Sequence, residues 1–311
     1  MHFFSGRTKT AFAFLTVITC FACQKPVQTR ETALAPASNA AARTEAAATT
    51  VTANAICDYV FNEQELTSAG WIKTFEDDFT TDLSKWNIWY GGAFNNELQL
   101  YRESNLQIMD GCLVITAQKE PGGVKGPTSP FTTRQKTFQY TSGRIECKTN
   151  VSANTQTPKV RMVARIKLAP GYGMWGAYWS YGDPWPTQGE IDMVEARGQE
   201  PDRYQTNYFY GRTRNRNLVT NGEGFIRTNG NLTTCYHVYE MIWEQNTLTS
   251  YLDGVQVEQK SGGYIPNLFG KTERITLNLA VGGDFFPNLD PSKIVAEGKM
   301  YVDYVKVFTS K

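Results

Sequence analysis

Apolar residues in this chain recur predominantly at every second position, and that period excludes most folds. Residues 111–117, 143–148, 160–166, 236–243, 249–252 and 301–308 each read as a short strand. Side chains alternate faces along a strand, so such segments present one apolar face to a core. Asp253-Gly254, between Leu252 and Val255, supplies the turn of a hairpin. Almost no amphipathic helix of any length interrupts the pattern. The expected fold is therefore all-β, an antiparallel β-sandwich whose wider sheet has a concave face able to carry a long groove. The glycine-, threonine- and asparagine-rich stretches at 121–140 and 212–232 are expected to be loops forming groove walls.

One domain is expected over residues 56–311, a length that suits a single core. Ahead of it, Arg7 and Lys9 precede an apolar run from Ala11 to Ala22, too short to span a bilayer, so residues 1–23 read as a secretion signal. Phe21-Ala22-Cys23-Gln24 fits the lipid-attachment site of an exported bacterial lipoprotein, with Cys23 as the modified residue, Cys20 as the second candidate and plain cleavage as the alternative. Residues 24–55, rich in Ala, Thr and Pro, have little to bury and read as a flexible tether. Cys57, Cys112, Cys147 and Cys235 permit two disulfides in an exported chain, in three pairings, with Cys57 placed to staple the first residues of the domain. A net charge of +1 gives no polyanion-binding field. No nucleic-acid partner is expected, and a monomer is.

The chemistry is concentrated between Gly189 and Arg197, G-E-I-D-M-V-E-A-R. Glu190 and Asp192 share a face of a regular strand, and Glu195 is out of phase by one. Burying an unpaired carboxylate among apolar side chains is heavily penalised. A β-bulge at Met193 or Val194 would return Glu195 to the face of the other two. Carboxylates gathered in this way repel, so at least one proton is retained near neutral pH and the pKa values spread. A proton donor beside a carboxylate nucleophile is the equipment for hydrolysing a glycosidic bond, with Glu190 and Glu195 as the pair and Asp192 tuning Glu190. The competing reading is a solvated acidic edge or a calcium site.

The surroundings favour sugar chemistry. Trp175, Trp179 and Trp185 crowd the segment just upstream, and flat rings cover the apolar faces of sugars at little entropic cost. Trp175, Trp179 and Tyr181 share strand parity, whereas Tyr178 does not. Asn95, Asn96 and Glu97 follow Trp86, Trp89 and Tyr90, and could fix sugar hydroxyls or cap a turn. Histidine is nearly absent: His2 lies in the signal and His237 in a strand, where a packed or hydrogen-bonded role is expected. A three-histidine zinc site is thereby excluded, and no G-x-S-x-G elbow, phosphate loop or dinucleotide fingerprint occurs. No catalytic cofactor is expected.

Phe75-Glu76-Asp77-Asp78-Phe79, Asn95-Asn96-Glu97-Leu98-Gln99, residues 140–146, Gly171-Tyr172-Gly173-Met174-Trp175, the acidic strand, residues 277–283 and residues 301–305 occur in an order that resembles glycoside hydrolase family 16. The resemblance covers residues 70–310. It implies a jelly roll with Glu190 as nucleophile, Asp192 as its assistant and Glu195 as general acid/base, acting with net retention. It also implies that Trp175 and Trp179 line subsites, that Asn95, Glu97 and Arg144 shape the cleft, and that a structural calcium sits near Gly111 and Asp303. The E-x-D-x-x-E spacing is similar to the laminarinase branch, so the implied partner is a β-linked polysaccharide, a laminarin-like β-1,3-glucan or a mixed-linkage glucan. Two stretches depart from that branch. Residues 206–211 lack its histidine, and Asp284-Phe285 replaces the usual Asn-Trp. A transglycosylase of the same fold, an agarase- or porphyranase-like galactanase and a non-catalytic carbohydrate-binding sandwich are the alternatives.

Overall fold

The computed structural model describes residues 50–311, which form two sheets packed face to face. The first has eight strands in the spatial order Thr50–Ala53, Gly224–Thr228, Arg203–Phe209, Glu190–Arg197, Met174–Tyr181, Glu273–Val281, Arg144–Val151 and Trp86–Ile88. In the ten-stranded second sheet, His237–Trp243, Lys159–Lys167, Glu297–Ser310 and Cys112–Pro127 are consecutive neighbours. Every strand pair among the described residues is antiparallel except two at sheet edges, Thr50–Ala53 with Gly224–Thr228 and Gln99–Tyr101 with Gln135–Ser142. The expected sandwich is the observed one, and each of the six segments with period two lies largely within a strand.

Alternation builds the core. Tyr178, Ile191, Leu277 and Ile145 of the first sheet meet Met162, Met241, Val305 and Ile115 of the second, all buried in one cluster. Each such side chain contributes roughly 1.5–3 kcal/mol by leaving water. The opposite face of the first sheet is thereby free to carry polar side chains. Asp253 and Gly254 take positive φ values of 51° and 76°, as a two-residue hairpin turn requires.

Three expectations are corrected. Thr50–Ala53, inside the span assigned to the tether, is an edge strand, so ordered structure begins before Ile56. Edge pairing satisfies backbone groups and needs little apolar side chain, which is why composition hid it. The signal, Cys20, Cys23 and residues 24–49 of the tether lie outside the described residues. The stretch 121–140 is mostly paired strand, Cys112–Pro127 against Gln135–Ser142, and Gly224–Thr228 occupies part of 212–232. Among the four domain cysteines one disulfide forms, Cys57–Cys235, while Cys112 and Cys147 are buried as thiols. Those two sit on different sheets, Cys147 in the inter-sheet core and Cys112 in a separate cluster against Tyr236.

The resemblance places a structural calcium near Gly111 and Asp303. Gly111 has φ +73° in a tight turn, and Asp303 accepts a hydrogen bond from Arg165 Nη1 at 2.9 Å. The same guanidinium reaches Asp58 at 3.1 Å, with Arg165 only 4% exposed. Calcium takes six to eight oxygen ligands. Arg165 already pairs with both carboxylates, and among the described residues no group of three or more acid, histidine or cysteine side chains is placed to hold a metal ion, so calcium at Gly111 and Asp303 is not confirmed.

Candidate active site

Register decides where the three acids point. Glu190, Asp192 and Glu195 pair with Tyr181, Trp179 and Ala177 of the neighbouring strand, partners spaced in steps of two. All three therefore project from the same face, opposite the core that holds Ile191 and Val194. Met193 is the extra residue: register jumps between Tyr178 and Trp179 on one side and between Asp192 and Glu195 on the other. The bulge inferred from parity is present.

Each glutamate is held by an indole. Trp185 Nε1 donates to Glu190 Oε2 at 2.8 Å, and Trp175 Nε1 donates to Glu195 Oε1 at 3.1 Å. Trp175 is also stacked on Phe285, with ring centroids 4.6 Å apart. Phe285, one of the two departures from the laminarinase pattern, thus covers one face of that ring. The other departure places Asn207 opposite Asp192 in the next strand.

Trp179 stands over the floor of the cleft, where its Nε1 donates to Asn278 Oδ1 at 2.7 Å. Asn278 Nδ2 donates to Tyr101 Oη at 3.1 Å, and Tyr101 Oη donates to Glu97 Oε2 at 3.1 Å. Glu97 is buried and further engaged by Gln99, so it anchors a hydrogen-bond relay beneath the rings rather than facing the cleft. Asn95 is exposed with φ +56°, and its carbonyl accepts from the Asp284 amide at 2.8 Å. Of the two readings of that tripeptide, the turn prevails for Asn95. Arg144 lies beside these rings, its guanidinium 4.0 Å from the Trp89 ring and 4.9 Å from that of Trp179.

Sequence reasoning missed the network that fixes Arg144. Glu146 accepts from Arg144 Nη2 at 2.7 Å, from Tyr181 Oη at 2.8 Å and from Arg274 Nε at 3.0 Å. Arg274 also bonds Asp183. Burial alone would raise the Glu146 carboxyl, but Arg144 and Arg274 outweigh it and hold the group below its usual range. The alternation Arg144-Ile145-Glu146 carried a signal that both polar residues share a face; Arg274, distant in sequence, carried none.

Burial is the first cause of an unusual protonation pattern. It pushes Glu190 up to about 8, helped by the charge of Glu195, and Glu195 up to about 7 against the lowering effect of the Trp175 indole. Asp192, buried and facing both glutamates, is raised well above the carboxylate range, and its Oδ2 has no hydrogen-bond partner. The trio therefore retains protons at neutral pH. A carboxylate with a raised folded-state pKa contributes stability that is fully present at low pH and is lost as pH rises through the folded value. Thermal stability should accordingly fall as the pH climbs from about 4.5 to about 8. Asp192→Asn should flatten that slope and raise Tm at pH 8 by a few degrees, of order 2–4 °C per kcal/mol. Melting curves across that range check it; an unchanged slope would count against the buried protons.

Glu190, Asp192 and Glu195 thus project from the open face of a β-sandwich beside the indoles of Trp175, Trp179 and Trp185. Residues 95–304 match the profile of glycosyl hydrolases family 16, and the chain belongs to that family. It is 32% identical over 270 residues to glucan endo-1,3-beta-glucosidase A1 of Niallia circulans, covering 77% of this chain but only 38% of that protein's length. Keratan-sulfate endo-1,4-beta-galactosidase of Sphingobacterium multivorum is 25% identical over 312 residues, covering 94% of this chain and 65% of that protein. Among solved structures, the endo-beta-1,3-glucanase of Pyrococcus furiosus aligns with a TM-score of 0.64 at 29% identity, covering 77% of this chain and 94% of that one.

Proposed function

We propose that the chain is a retaining, endo-acting glycoside hydrolase that cleaves a β-linked polysaccharide, with β-1,3-glucan of the laminarin type or mixed-linkage β-glucan as the substrate class. The observation that carries this reading is the projection of Glu190, Asp192 and Glu195 from one face through the Met193 bulge. Glu195, carrying a proton, protonates the departing glycosidic oxygen while Glu190 attacks the anomeric carbon. The C–O bond breaks as the glycosyl–enzyme ester forms. Deprotonated Glu195 then takes a proton from water, whose oxygen displaces Glu190 and restores the configuration. Positive charge developing at the anomeric carbon favours ionised Glu190, so the shared proton settles on Glu195 when substrate is bound. Asp192, which keeps its own proton, lies between the two in register and limits the negative charge there. Trp175, Trp179 and Trp185 serve as ring platforms, and Arg144 shapes the floor.

Reducing ends and product masses from laminarin, mixed-linkage glucan, agarose, porphyran, carrageenan and keratan sulfate test the reading. Oligosaccharides from a β-glucan support it, and products longer than the starting fragments reveal transfer to sugar. Absence of new reducing ends from every polymer would leave only a binding sandwich. A galactan as substrate is the second reading, favoured by the match to the Sphingobacterium galactosidase along 94% of the chain and by the lack of a histidine in residues 206–211.

The bulge itself can be removed. Deleting Met193 leaves E-I-D-V-E, whose period of two keeps all three acids on one face and restores continuous register with both neighbouring strands. Turnover should survive, at a stability cost of about 2–5 kcal/mol for the lost buried side chain. Loss of turnover with the fold intact would show that the bulge itself positions Glu195.

On the basis of residues 7–24 we also propose export and lipid attachment at Cys23, or at Cys20. Transfer of the Cys23→Ala protein to the soluble fraction, with loss of labelled acyl chains, is the expected result.

A further inference from the structure

Beside Glu190 the structure holds a feature that neither the reaction nor the fold requires. Residues 212–216 read R-T-R-N-R and are all exposed. Thr213 and Arg216 form an isolated bridge closed by Arg216 N–H to Thr213 O at 3.1 Å, and Asn215 has φ +60°. Positive φ at the third position of a four-residue turn favours Asn or Gly, so the sequence specifies this turn, with Arg214 at its tip. The turn is tied to the cleft by two backbone bonds, Asn215 N–H to Trp185 O at 2.9 Å and Gly211 N–H to Pro186 O at 3.2 Å. Gly211 lies so close to the Arg216 carbonyl that a Cβ there would stand 1.9 Å from its oxygen. Trp185 in turn holds Glu190. The hairpin is thus a built part of the cleft wall.

Its charges have no partners. Among the described residues no carboxylate lies within ion-pair distance of Arg212, Arg214 or Arg216, and the acid of the adjoining loop, Asp183, is taken by Arg274. Three guanidinium groups within five residues repel one another and add nothing to the fold. Each offers a planar fork of donors that matches a sulfate or carboxylate. A net charge of +1 on the whole chain makes this a local feature, not a general basic surface.

We propose that residues 212–216 form a binding site for an anionic substituent, a sulfate ester or a carboxylate, on a sugar ring of the chain lying in the cleft at its Trp185 end. This rests on the reading of the cleft as a glycosidase site and adds a charge requirement to it. The test uses the full chain carrying Glu190→Gln, so that ligand is held uncut, with and without the triple change Arg212→Gln, Arg214→Gln and Arg216→Gln. Affinities are measured by calorimetry at low and high salt for β-1,3-glucan oligosaccharides that are neutral, sulfated or carboxymethylated. The same is done for keratan chains before and after chemical desulfation.

The expected result is tighter binding of an anionic chain than of its neutral counterpart. The triple variant should lose about tenfold or more of that affinity, with neutral binding unchanged. High salt should remove most of the difference, as screening shortens to about 3 Å near 1 M. A loss confined to sulfated or to carboxymethylated glucan names the substituent. Equal losses on charged and neutral chains, or no preference for charged chains in the protein with its arginines intact, would overturn the proposal. If keratan chains bind in an arginine-dependent way while no glucan binds, the glucan reading fails and the hairpin assignment stands.

Discussion

Glu190→Gln is expected to remove turnover on the preferred polysaccharide, by about 10⁴-fold or more, the scale of loss when a covalent nucleophile is taken from a site whose parts act together. The amide is isosteric with the acid and its oxygen still accepts the Trp185 indole at the position now 2.8 Å away. The fold should therefore persist, and at pH 8 the neutral side chain should stabilise it, because burial already opposes ionisation of Glu190. Release of reducing ends alongside a melting curve checks both halves. Normal turnover in this variant would end the assignment of Glu190 as nucleophile.

Glu195→Ala is expected to lose about 10²–10⁴-fold on polysaccharide, the range attributable to general acid–base catalysis. An activated aryl glycoside needs no proton to expel its leaving group, so the first step should survive with such a substrate. The second step lacks its base, and azide, which needs none, should restore turnover and appear in the product as a glycosyl azide. Trp175 Nε1, now bonded to Glu195 at 3.1 Å, is left to water that the smaller side chain admits. No rescue, with the aryl glycoside bound and the fold intact, would move the acid/base role elsewhere. Asp192 would be the next group to test, since burial also pushes its carboxyl well above the usual range and it lies on the same face.

Much of this site was legible before any coordinate. The parity conflict in E-I-D-M-V-E admitted either a buried lone carboxylate or a bulge, and the penalty on the first left the second. Trp175, Trp179 and Tyr181 sharing a face, with Tyr178 in the core, followed from the same alternation. Asn95 and Glu97 were misjudged because sequence proximity to aromatics says nothing about direction. A positive φ turns Asn95 into a corner, and Tyr101 and Gln99 draw Glu97 beneath the floor. The partner of Asp303 was hidden for a similar reason, since Arg165 reaches it from another strand, 138 residues away. Charge neutralisation between strands is a property of sheet order, which local patterning does not contain.

By itself, the sequence determined the class of fold and the gathering of three acids on one face, because period two and the cost of burying an unpaired carboxylate are local constraints acting along one strand. Only the tertiary structure decided what surrounds that group. The Trp175 indole on Glu195, the approach of Arg274 to Glu146 from 128 residues away and the tie between the arginine hairpin and Trp185 each join different strands or loops. Their geometry follows from which strands pair and in what register, and that is set by the packing of two whole sheets against a common core.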